Sequence, residues 1–206
     1  MDLSFCTTAM ARPKIVNKTF KSFTGNISGI DFDKTTLYIN IEPLPDPSMR
    51  EDVIIVAHKY FGRVIYRTPD EANFTKAIEW LWGTATEEFI FHLEDDWALN
   101  KKVDINDMLD FFKEEDTKQV VFRAYKYAYN KMCLSPSIIR SSWAKRFKFD
   151  TSLNPEVQLR RDFVKSVNIQ VPHKKPVVSD IGRKWIKNAD YKKPNHKSSF
   201  TSWEKK

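Results

Sequence analysis

Three adjacent carboxylates, Glu94, Asp95 and Asp96, leave the end of the apolar run Phe89 to Leu93. Acids held this close repel one another unless a cation sits among them, and a divalent metal is the natural partner. Hard ions such as Mg2+ or Mn2+ take oxygen ligands in octahedral sets, commonly one or two carboxylates completed by substrate phosphates and water. In an extended segment Glu94 and Asp96 project to one side and Asp95 to the other. The chemistry this implies is metal-assisted handling of a diphosphate. A solvated acidic turn capping the next element would use the same residues, but their place directly after a buried strand favours a site.

Other chemistries lack their parts. The five glycines, Gly25, Gly29, Gly62, Gly83 and Gly182, form neither a GxGxxG loop nor a P-loop. GxSxG, HExxH and clustered Cys/His patterns do not occur, so the corresponding hydrolase and zinc readings have no support. Cys6 and Cys133 each fall in a strand-like stretch and read as free, buried thiols. His92, inside the apolar run, reads as a core histidine.

The elements that must position the acids alternate along the chain. Leu3 to Thr8 reads as a strand, and Pro13 opens a helix with Ile15, Val16, Thr19, Phe20 and Phe23 on one face, ended at Gly25. Leu37, Ile39 and Ile41 have the period of a half-buried strand, which Pro43, Pro45 and Pro47 stop. Glu51 to Phe61 has helical spacing closed by Gly62, and Val64 to Tyr66 is a short strand. Thr68-Pro69-Asp70-Glu71 matches a capping box opening a helix with Phe74, Ala77, Ile78 and Leu81 inward, up to Gly83. Phe89 to Leu93 is continuous enough for a strand covered on both faces.

Beyond the acids, Asp104 caps a helix, and Gln119 to Ala124 reads as a further central strand. An aromatic run from Tyr125 to Tyr129 follows, then helices opened by Ser135-Pro136 and by Asn154-Pro155. This order predicts an α/β fold, a three-layer α/β/α sandwich on a mostly parallel central sheet, with ligands outside the carboxyl ends of the strands.

With 206 residues, 41% of them apolar, and 15 Phe and 6 Trp, the chain can fill the core of one domain. Its apolar runs fall far short of the roughly 20 residues that cross a bilayer, so no membrane span is expected. Nor does a basic segment followed by an apolar one mark a leader, and the expected compartment is cytoplasmic. Of the net charge of +7, the segment Lys187 to Lys206 carries +4, six lysines against Asp190 and Glu204. The chain therefore divides into a domain over 1–186 and a basic polar tail over 187–206, which is either solvated or a contact for phosphates and anionic surfaces.

FIFHLEDDW, Phe89 to Trp97, resembles the D-x-D-type metal motif of GT-A glycosyltransferases. SFCTTAMARP, Ser4 to Pro13, resembles their first strand and nucleotide-holding loop. LNPEVQLRRDF and VVSDIGRKW, Leu153 to Phe163 and Val177 to Trp185, resemble the acceptor-side helix and closing segment of small viral and bacterial members of the family 2 type. The resemblance spans most of the chain up to Trp185, and it implies a metal-dependent transferase moving a sugar from a UDP- or GDP-linked donor to a glycan or other hydroxyl acceptor, with inversion.

In that scheme Asp96 binds Mn2+ or Mg2+, Glu94 reaches the ribose or a metal-bound water, and Asp95 orients the site. Thr7, Thr8, Arg12 and Asn73 belong to the donor-nucleotide side, and Arg183 neutralises the diphosphate from a closing segment. Asp180 stands where many members place a late histidine that helps hold the metal, a departure from the commoner pattern. Glu156, in the first turn after Asn154-Pro155, is the candidate general base, since the helix dipole there favours a carboxylate. Trp97 is the candidate acceptor contact. Structural alternatives stand beside these roles: Arg12 as a solvated loop residue, and Glu156 as a complement to its helix terminus. A second reading keeps the chemistry but makes the acceptor a modified base in DNA, motivated by the basic tail and interleaved aromatics. A third is a non-catalytic nucleic-acid-binding protein.

Overall fold

The computed structural model describes residues 2–123, 132–162, 168–188, 191–192 and 204–205. In chain order these form β1 (Leu3–Met10), α1 (Pro13–Asn26), β2 (Ile27–Ser28), β3 (Thr36–Glu42), α2 (Arg50–His58), β4 (Arg63–Arg67), α3 (Phe74–Thr84), β5 (Phe89–Glu94), β6 (Trp97–Leu99) and β7 (Val103–Asp104). There follow α4 (Ile105–Asp110), β8 (Thr117–Val121), β9 (Ser137–Arg140), α5 (Ser141–Ala144), α6 (Pro155–Asp162), β10 (Asn168–Gln170), β11 (Val178–Asp180), α7 (Gly182–Asn188), β12 (Tyr191–Lys192) and β13 (Glu204–Lys205). The predicted aromatic run 125–129 lies outside the described residues, as does most of the basic tail, of which β12 and β13 pair antiparallel.

One seven-stranded sheet, in the order β10-β8-β9-β5-β1-β3-β4, organises the domain. Every strand runs in one direction except β9, which is antiparallel to both β5 and β8. Because β1 is central, its end falls in register with the ends of its neighbours: Thr8 opposite Glu94 of β5, and Met10 opposite Glu42 of β3. Alternation along the strands feeds two cores, one on each face. Phe5, Leu37, Ile39 and Phe91 meet Phe20 and Phe23 of α1 and Val53 and Ala57 of α2. On the other face Cys6, Tyr38 and Ile90 meet Ile78, Leu81 and Trp82 of α3, Trp143 of α5 and Leu159 of α6. The expected three-layer architecture is thus present, and both cysteines are free and buried.

Three sequence expectations shift. The helix assigned to the capping box at Thr68 to Glu71 starts later, at Phe74, with Asn73 as its cap: extended at φ −153°, it accepts from the Lys76 N–H. Its own N–H is held by the Glu42 carboxylate at 2.9 Å and its side-chain amide by the Thr151 carbonyl at 3.0 Å, and these tertiary bonds outweigh a local capping pattern. The helix expected after Ser135-Pro136 is strand β9 instead. Its Ile138 and Ile139 point into opposite cores, a double burial that the gap between β5 and β8 supplies and a surface helix would not. The strand assigned to Gln119 to Ala124 begins two residues earlier, at Thr117. Among the described residues no helix is long and apolar enough to cross a membrane.

Phe91 anchors the first core: fully buried, it stacks on Phe5 with centroids 4.5 Å apart and touches Phe122 at 5.0 Å. Phe91→Ala is expected to lower the unfolding free energy by about 3–5 kcal/mol in urea denaturation, whereas Phe91→Leu should lose much less.

Candidate active site

The carboxyl ends of β1, β3 and β5 open onto a cleft of about 350 Å³, lined on that side by Thr8, Met10, Glu42, Glu94 and Asp96. Helix α6, the segment after β8 and the closing segment at β11–α7 complete it, bringing Asn154, Glu156, Arg160, Arg123, Ser135, Asp180 and Arg183 to the same space. This is the crevice expected of an open parallel sheet.

The three adjacent acids have three different environments. Asp95 is buried and enclosed by the turn after β1. Arg12 donates to it twice, from Nη2 at 2.6 Å and Nε at 3.3 Å, and the Met10 N–H adds a bond of 3.0 Å. The Asp95 N–H bonds the Thr8 carbonyl at 3.0 Å, and its own carbonyl accepts from Thr19 of α1 at 2.5 Å. Asp95 therefore welds β5 to β1 and α1. Asp96 is 5% exposed and faces the cleft, with Arg12 Nη2 3.7 Å from its Oδ2. Glu94, partly exposed, accepts from the Trp97 indole N–H at 2.9 Å. Burial works against the charge of Arg12, yet Asp95 and then Asp96 more than offset it, raising the guanidinium pKa above its usual value. Arg12 also lies 4.6 Å above the Trp185 ring, which ties α7 to the same centre.

The closing segment is built onto the acid turn. Strand β11 pairs with β6, placing Asp180 opposite Trp97, and the Ile181 N–H bonds the Asp96 carbonyl at 2.8 Å. Gly182 then passes so close that a Cβ there would fall 2.2 Å from Asp96 Oδ2. Asp180 lines the cleft, but its Oδ1 accepts from the Gly182 and Arg183 N–H groups at 3.0 and 3.2 Å and its Oδ2 from Arg183 Nε at 3.0 Å. Its geometry is that of a cap for α7.

Not every residue assigned from sequence reaches the cleft. Thr7 is fully buried on the opposite face of β1 from Thr8, as alternation requires, and Asn73 serves as the α3 cap with both ends of its amide bonded inside the protein. Trp97 borders the cleft, but it is 8% exposed and the Arg123 guanidinium lies 5.3 Å over its ring centroid, so that face is covered. Glu156 sits where expected, in the first turn of α6, its N–H held by Asn154 Oδ1 at 2.9 Å and its carboxylate 3.7 Å from Arg160. His92 is buried beside Trp82, and burial lowers its pKa to about 3, so the ring stays neutral.

Sequence reasoning passed over Glu42, Arg123, Ser135 and Arg160. Glu42 had a signal, an acid closing a period-two strand just before proline, whereas Arg123 lies two residues beyond β8 and is brought in by the tertiary fold alone. Glu42 is 5% exposed. Burial, assisted by the charge of Asp95 and opposed by the Asn73 N–H bond, pushes its pKa from 4.5 to about 8.

Among the described residues no three His, Cys, Asp or Glu side chains converge as a metal cage. The cleft nonetheless suits an Mg2+ or Mn2+ ion of the kind that takes one or two carboxylates and completes its shell with phosphate oxygens and water, since Asp96 and Glu94 both border it.

The fold is that of the GT-A-like nucleotide-sugar glycosyltransferases. The chain is similar to residues 1–349 of S. aureus TarS, at 12% identity and TM-score 0.67 over 91% of this chain and 63% of that one. A complex of the same TarS fragment with UDP-GlcNAc aligns at TM-score 0.65, with 10% identity, over 86% and 58% of the two chains. The mannosyltransferase PcManGT of Pyrobaculum calidifontis, bound to GDP-Man and Mn2+, aligns at 0.66 with 8% identity over 83% and 54%. This chain thus spans less than two thirds of each of these proteins. No protein-family model matches the sequence, and no curated protein sequence does.

Two outcomes follow from the geometry. The folded state holds the Glu42 proton across pH values at which the unfolded chain has released it, so this residue makes stability fall as pH climbs from about 4.5 to about 8. Glu42→Gln should therefore match the parent Tm near pH 5 and exceed it increasingly toward pH 8 in calorimetric scans. Gly182→Ala should displace Asp96 or the start of α7 and destabilise the protein by about 1–3 kcal/mol, read from denaturant midpoints.

Proposed function

We propose that this chain is a metal-dependent glycosyltransferase that moves a sugar from a nucleoside diphosphate donor to an acceptor hydroxyl. The observation that carries the reading is the placement of Asp96 and Glu94 at the end of β5, in one cleft with Arg12, Arg183 and Glu156, on a GT-A-like sheet. The similar structures hold UDP-GlcNAc in TarS and GDP-Man with Mn2+ in PcManGT, which supports a nucleotide-sugar donor here.

Asp96, with Glu94, would hold Mn2+ or Mg2+. When bound, such an ion stabilises the charge that grows on a departing diphosphate. The chain's own residues supply the rest. Arg12 keeps Asp96 in place through Asp95 and lends positive potential to the phosphate region. Arg183, on a side chain mostly open to solvent but anchored by Asp180, can swing a second charge toward the same region. Thr8 presents its hydroxyl beside the acids at the end of β1. Glu42, mostly protonated near neutral pH, offers a neutral carboxyl at the end of β3 that can donate as well as accept, a match for an uncharged polar edge such as a nucleobase. Glu156 is the group that takes the acceptor's proton. It lines the same cleft as the acids, and a base that takes the proton as the hydroxyl attacks from the face opposite the leaving diphosphate would give inversion at the anomeric centre.

The test is a thermal-shift screen of UDP and GDP with and without Mn2+, since a ligand bound only by the folded state raises its apparent stability. The expected result is a metal-dependent rise with one of the two nucleotides, lost in Asp96→Ala. Glu156→Gln should keep that rise while slowing release of the nucleoside diphosphate from UDP-GlcNAc or GDP-mannose by roughly 100-fold or more. A rise that is indifferent to metal and to Asp96 would defeat the reading.

A further inference from the structure

We propose that Trp97 is a positioning residue that presets the Glu94 carboxylate, a role resting on the reading of Glu94 as part of the metal–nucleotide site. Glu94 is the last residue of β5 and Trp97 the first of β6, so the indole-to-carboxylate bond of 2.9 Å closes directly across the Asp95-Asp96 turn. Both ends of that bond are built in. The turn is clamped by the Arg12, Met10 and Thr19 bonds to Asp95 and by the Ile181 N–H on the Asp96 carbonyl. The Trp97 backbone is paired with Asp180 of β11, its ring is 8% exposed, and the Arg123 guanidinium covers one face at 5.3 Å.

Arg123 is itself anchored, its Nη1 donating to Ser135 Oγ at 3.1 Å. The segment carrying Ser135 is fixed in turn by the buried Gln119 side chain. Nε2 of Gln119 donates to the Cys133 carbonyl at 2.7 Å and to Ser137 Oγ at 2.9 Å, while its Oε1 accepts from the Cys133 N–H at 3.3 Å. A glutamate at a cleft edge has three side-chain torsions to order before it can bind anything. An indole N–H held from behind removes most of that freedom in advance. A ring so enclosed is poorly placed to stack on a sugar, which is why positioning and not acceptor contact is assigned to it.

The decisive variant is Trp97→Phe, which keeps an aromatic ring beneath Arg123. It removes the N–H together with the pyrrole part of the indole, a packing loss that a double variant separates from the loss of the bond. Calorimetric titration of UDP or GDP in the presence of Mn2+ should show roughly three- to tenfold weaker binding in Trp97→Phe. In a Glu94→Ala background, where the acceptor is gone, adding Trp97→Phe should weaken binding no further. Equal losses in both backgrounds, or no loss in Trp97→Phe, would overturn the proposal. A second measurement needs no nucleotide. The chain has 6 tryptophans, and the Trp97 indole is the N–H resonance missing from the spectrum of Trp97→Phe. Glu94→Gln should shift that resonance and leave the other indoles in place, while an unmoved signal refutes the bond. Failure of the functional reading looks different: metal-dependent binding would be absent altogether or survive Asp96→Ala, with the indole still reporting its bond to Glu94.

Discussion

The buried pair of Arg12 and Asp95 is the constraint from which the site follows. Taking both charges out of water is costly, and good geometry with additional hydrogen bonds is what offsets it. Here the guanidinium fork meets the carboxylate twice, the Met10 N–H takes a further share of Oδ2, and Trp185 covers the cation. Breaking such a pair from one side leaves an uncompensated charge in the interior and typically costs about 3–5 kcal/mol. The pair joins the turn after β1 to the end of β5, so the residue between Asp95 and β6, Asp96, has no choice of position.

That arrangement divides labour among adjacent acids of the same type. Asp95 is used up by the protein, Glu94 is steadied by an indole, and Asp96 faces the cleft beside Arg12. All three border the cleft, but Asp95 is committed to Arg12 and Met10, and a phosphate-bound Mg2+ or Mn2+ ordinarily draws only one or two carboxylates from protein. The mutual repulsion that marks the cluster in the sequence is thus relieved partly by an internal arginine and partly, on the reading advanced above, by a metal ion that comes with the donor.

The closing segment shows how packing and site are one structure. Residues 178–182 contribute a short strand beside β6, a backbone bond to Asp96, and a glycine that lets the chain pass against the Asp96 carboxylate. Asp180 turns its oxygens back onto α7 and so holds the first turn that carries Arg183 and Trp185. Arg183 and Trp185 therefore rest on the same few residues that enclose Asp96.

The sequence alone determined the alternation of strands and helices, the strand ending in Glu94-Asp95-Asp96, the Asn154-Pro155 start that carries Glu156, and hence an α/β sheet with its chemistry at the carboxyl ends of the strands. These were legible because hydrophobic period and capping are local, set within a turn or two of the residue concerned. Only the tertiary structure decided that Asp95 would be paired with Arg12, that Thr7 would face a core while Thr8 faces the cleft, and that Ile138 and Ile139 would form a strand between β5 and β8. It also brought Glu42, Arg123 and Ser135 to the site and placed Trp97 under Arg123. In each case the deciding partner lies far away in the chain, and burial then selects among options that local pattern leaves equal. A carboxylate, an asparagine or an Ile-Ile pair carries no mark of what will be packed against it.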